Sequence, residues 1–74
     1  MLYLVWYDPD AQRPVGEKIK NASAAYARRF NAAPNVVLVN AADLTELPAI
    51  TVRAERSVQP HNFWVGRSDE QAPQ

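Results

Sequence analysis

The chain has 74 residues, with eight Lys and Arg balancing eight Asp and Glu, one histidine and no cysteine. A domain of this size buries only about 60% of the surface its unfolded form exposes, so its core is thin. The composition excludes a disulfide framework, a thiolate or multi-histidine metal cage, and a strong long-range pull toward nucleic acid or anionic membrane, leaving the core unaided unless the chain oligomerises.

Leu2 to Tyr7, "LYLVWY", is continuously apolar or aromatic. That is the pattern of a strand covered on both faces, and it predicts the central strand of a sheet. The run is far too short for a membrane span and lacks the basic segment and cleavage site of a signal peptide, so the expectation is a cytoplasmic protein with no membrane role. Six arginines against two lysines, together with twelve alanines, suggest a GC-rich coding sequence and a bacterial source.

"DPDAQRP" breaks the strand, and Pro14 suits the first position of a helix because its missing N–H would be unpaired there. Val15, Ile19, Ala22, Tyr26 and Phe30 then recur at helical spacing, which predicts a helix from Pro14 to Phe30 with its polar residues mainly elsewhere. Asn31 suits a left-handed helix end and Pro34 forbids continuation. Val36 to Val39, "VVLV", predicts a second buried strand, parallel to the first across the helical crossover.

Asn40 and Asp43 have the spacing of an N-cap and its reciprocal partner, and predict a second, short helix ending at Pro48. In "AITVRAERS", Ile50, Val52 and Ala54 alternate with Thr51, Arg53 and Glu55, so a third strand has one dry and one wet face. "NFWVG" predicts a fourth strand from Asn62 to Val65, stopped by Gly66, with Phe63 and Trp64 on opposite faces. The loop "RSVQPHNFWVG" brings it back, and Pro60 blocks a two-residue hairpin.

The expected fold is therefore a small β-α-β-α-β-β domain of the α/β class, in two or three layers, spanning residues 1–67. Its sheet is mostly parallel in the order 2-1-3, with the fourth strand antiparallel at the edge; the order 1-2-3 is the alternative. Residues 68–74 read as a disordered tail.

Parallel strands place their C-terminal ends on one edge, where open α/β sheets bind ligands. Three loops meet there, carrying Asp8, Asp10 and Arg13, then Asn40 and Asp43, then Arg56, Ser57 and His61. Asp8 and Asp10 have the spacing to flank a divalent cation, and equally the composition of an ordinary turn. His61 has the side chain of a general base, with Ser57 as a nucleophile to pair with it, but no glycine elbow or oxyanion donor accompanies them. The plain alternative is a histidine hydrogen-bonded across the loop to hold the corner shut. Gly16 and Gly66 are the only glycines, which rules out a phosphate-cradling loop; no cofactor is implied.

Arg53, Arg56 and Trp64 are the candidate binding residues, since Trp and Arg anchor protein interfaces and also form single-strand nucleic-acid platforms. The sequence thus points to a non-enzymatic protein-interaction module, self-associating through an exposed edge at the third and fourth strands. The alternatives are a metal-dependent or hydrolytic enzyme at Asp8, Asp10 and His61, and a single-stranded nucleic-acid binder.

Overall fold

A computed structural model describes residues 3–68. Apart from Ser68, the tail expected at 68–74 lies outside the described residues. Strand β1 covers Tyr3–Tyr7, helix α1 Val15–Phe30, β2 Val36–Val39, β3 Thr51–Ala54 and β4 Asn62–Gly66, with a single 3₁₀ turn at Ala41–Asp43. The class is α/β, in two layers: one helix against one four-stranded sheet.

Helix α1 forms as its periodicity dictates. Ile19, Ala22 and Tyr26 are buried against Val37, Val39, Phe63 and Val65, with Leu4, Trp6, Val15, Phe30, Leu47, Ile50 and Val52 packed around them. Pro14 sits one position earlier than expected, at the N-cap, with extended backbone (φ −63°, ψ 151°). Asn31 closes the helix in the left-handed region at φ 56°, its N–H donating to the Ala27 carbonyl at 2.8 Å. Lys18, assigned to the polar side by the sequence, is 3% exposed.

The sheet corrects the expected topology. Its order is β1-β4-β2-β3, with β4 antiparallel to both β1 and β2 and only β2 and β3 pairing in parallel. The last strand therefore occupies the centre, and the first, expected there, is an edge. The physical reason lies in the crossover: α1 carries the chain past one strand width, and β4 fills the slot left between β1 and β2. Phe63 and Val65 are fully buried in that slot, a position their strand would not have had at the rim. The expected sheet edge at the third and fourth strands is accordingly replaced by two separate edges, β1 and β3.

The expected second helix is also absent from the described residues. Asn40 does cap, its Oδ1 accepting the Ala42 N–H at 2.9 Å, but Leu44 is already extended (φ −68°, ψ 134°). The Asp43 N–H donates to the Asn40 carbonyl at 2.8 Å, but its carboxylate does not reach back to the Asn40 N–H; it is drawn to another loop, as described below. The third strand starts at Thr51, and Ile50 instead forms an isolated bridge with Leu47.

The single helix covers one sheet face; the other carries no helix, although Val36 on it is buried and Tyr3, Leu38 and Trp64 are half-buried. Alternation and register put Leu4, Trp6, Val37, Val39, Val52, Phe63 and Val65 toward α1, and Tyr3, Val5, Tyr7, Leu38, Arg53 and Trp64 on the other face.

Candidate functional site

Although the order differs, β1, β2 and β3 all run the same way, so their C-terminal ends do share an edge and their loops meet. The Asp8 N–H donates to the His61 carbonyl at 3.0 Å, and the His61 N–H donates to Asp43 Oδ2 at 2.9 Å. Asn40 Nδ2 donates to the Val58 carbonyl at 3.0 Å, with Val58 itself 1% exposed. One hydrogen-bonded knot thus ties the ends of all three parallel strands.

The contacts it shows join loop to loop. His61 takes part through its backbone, held at φ 70°, while its exposed imidazole makes no hydrogen bond among the described residues. The corner is held shut at His61, by the peptide groups and not by the ring. Ser57 lies with Arg56 inside the turn closed by the Val58 N–H and the Glu55 carbonyl at 3.1 Å.

Asp8 is largely buried and fully engaged. Its Oδ1 accepts the Asp10 N–H at 3.0 Å, and its Oδ2 accepts from Arg13 Nη1 at 2.9 Å. Asp10 in turn accepts the Gln12 N–H at 2.9 Å and lies 3.6 Å from the same guanidinium. The Asp10 amide, then the Arg13 and Lys18 charges, hold the Asp8 carboxyl below its ordinary range against the opposing effect of burial. The two acids therefore spend their oxygens on turn amides and an arginine. Among the described residues no group of three acidic, histidine or cysteine side chains is placed to hold a metal.

The binding candidates fall elsewhere. Val5 pairs with Trp64, Trp64 with Leu38, and Leu38 with Arg53, so these four form one row across the helix-free face. Trp64 and Arg53 are two strand spacings apart, about 10 Å, with Leu38 between them. Arg56 is off the row, in the turn beyond Ala54. The Tyr3 ring leans on Trp64 with centroids 6.0 Å apart, on the side where its cross-strand partner Gly66 offers no side chain.

Compared with known proteins, the chain matches no family model, no curated protein and no solved structure.

Sequence reasoning missed the aromatic character of this face. Val5 is 50% exposed and Tyr7 63%, yet both belong to the run that looked most deeply buried. The period-2 phase was available: Tyr3, Val5 and Tyr7 share a face opposite Leu4 and Trp6. Two open grooves flank the segment 45–50, of about 710 and 570 Å³, with Glu46 and Lys20 as their respective ionisable lining residues. Neither contains a residue nominated from the sequence, and neither pairs two groups that could share a proton.

Proposed function

We propose that the protein is a non-enzymatic interaction module whose helix-free sheet face receives a protein partner. The observation that carries this reading is the row Val5, Trp64, Leu38 and Arg53, with Tyr7 beside it: apolar and aromatic surface on a rigid sheet, ended by an arginine. Uncovered apolar patches on small domains mark interaction surfaces, and Trp, Tyr and Arg are the usual anchors. A neutral, cysteine-free chain needs no oxidising compartment, and we place its work in the cytoplasm. Among the described residues no helix is long and apolar enough to cross a membrane.

Affinity capture with the wild-type chain, followed by direct binding of each purified candidate to wild type, Tyr7→Ala and Arg53→Glu, tests the reading. A partner that loses about tenfold or more in affinity on these exposed substitutions supports it. Partners indifferent to both substitutions would overturn it. Tyr3, Tyr7 and Trp64 on one open face also favour base stacking as a second reading; salt-sensitive binding of a single-stranded oligonucleotide, weakened by Tyr7→Ala, would put nucleic acid in the protein's place.

A further inference from the structure

The two edges of the sheet are unequal. β3 is four residues long, carries Arg53 and runs into Glu55 and Arg56, and charge with shortness is how edge strands avoid pairing. β1, "YLVWY", has neither charge nor proline and pairs with β4 in unbroken register. Because the Asp8 amide points to β4, alternation turns the backbone groups of Leu4 and Trp6 the same way and those of Tyr3, Val5 and Tyr7 outward. Among the described residues no strand takes up that outer side.

We infer that β1 pairs antiparallel with β1 of a second copy about a two-fold axis through Val5. A two-fold contact must be self-complementary, residue i meeting j and j meeting i. This strand satisfies that condition: Val5 meets Val5 of the second copy, Tyr3 meets Tyr7, and Leu4 meets Trp6. Each outward N–H and C=O of Tyr3–Tyr7 then finds its counterpart within the described strand, whereas any other register leaves Tyr3 or Tyr7 without a counterpart inside that strand. The formal net charge is zero, so two copies meet without long-range repulsion. The axis stands perpendicular to the sheet, so both helices fall on one side and the two helix-free faces join. This goes beyond the face-binding reading, and a monomeric protein would leave that reading standing.

Sedimentation of the full chain from about 10 µM to about 1 mM, the range suited to an interface smaller than ~1,200 Å², tests the pairing. The wild type should shift to dimer across this range, with amide exchange at Val5 slowing as dimer forms. Val5→Lys, at a half-exposed position, should stay folded by circular dichroism and weaken association about tenfold or more. Mixing it with Val5→Glu should restore the dimer. A wild type that is monomeric throughout, a Val5 amide whose exchange ignores concentration, or a folded Val5→Lys that dimerises as before would each overturn the inference; if Val5→Lys fails to fold, the wild-type mass and amide exchange decide it.

Discussion

The Asp43 carboxylate accepts a hydrogen bond from the backbone N–H of His61, eighteen residues away, at 2.9 Å. This contact takes the side chain the sequence had assigned to capping its own short helix and uses it to fix the entry to β4. Asp43 is 8% exposed, so removing the acceptor strands a donor at a partly buried corner. Asp43→Ala should lower stability in urea unfolding by about 1 to 3 kcal/mol, and Asp43→Asn, which keeps an acceptor oxygen, by clearly less. Equal losses would mean that charge and not the hydrogen bond matters.

His61 should be replaceable. Its contribution is a peptide group in the left-handed region, which glycine and asparagine enter readily and β-branched residues do not. His61→Asn should stay within about 0.5 kcal/mol of wild type, as expected for an exposed change that preserves the backbone, while His61→Val should cost about 1 to 2 kcal/mol. Thermal unfolding of the two variants checks the pair of outcomes. A large loss in His61→Asn would show that the imidazole has a role of its own.

Asp8 ties stability to acid. Its folded carboxyl titrates below the ordinary value of 3.8, chiefly through the Asp10 amide and then Arg13. A depressed folded value means the unfolded chain binds the proton first. The contribution is therefore full above pH 3.8 and falls away as pH drops through the lower folded value. Urea midpoints measured from neutral pH down through this window should show a shallower acid decline in Asp8→Asn than in wild type. Parallel declines would assign the acid sensitivity to other carboxylates.

Gly16 lies in the first turn of α1, and it is not at positive φ. A methyl group there would meet Leu47 Cδ2 at 3.4 Å, ordinary contact with the end of a flexible side chain. Gly16→Ala should raise stability by about 0.4 to 1 kcal/mol by reducing the freedom of the unfolded chain, or a few degrees in Tm. A lower Tm would mean that Leu47 cannot give way.

Local structure was legible where a residue's neighbours in sequence decide it. The α1 stripe, the Asn31 stop, the Asn40 cap and the opposite facing of Phe63 and Trp64 all follow from spacing and side-chain type. The meeting of Asp8, Asn40, Asp43 and His61 was legible too, because it needs only that three strands be parallel, whatever their order. Strand order was not. An apolar run such as "LYLVWY" reads alike whether both faces are packed or one is packed and the other left open. "NFWVG" carries nothing that says which strands it joins, since pairing is decided by contacts far apart in sequence. The second helix failed for a related reason: a segment ending at Pro48 has room for a cap but no apolar face long enough to reward further turns.

The central place of β4 has a consequence for how the chain comes to be folded. β1 and β2 do not touch as strands; the segment 62–66 is what joins them. During synthesis, β1, α1 and β2 emerge first with the slot between the two strands vacant. Leu4 and Trp6 then have no cross-strand support until Phe63 and Val65 arrive. Such long-range closure makes for slow folding relative to size. A nascent chain ending before Asn62 would expose the inner edges of β1 and β2 at once, so among the described strands β4 is the one whose arrival covers both.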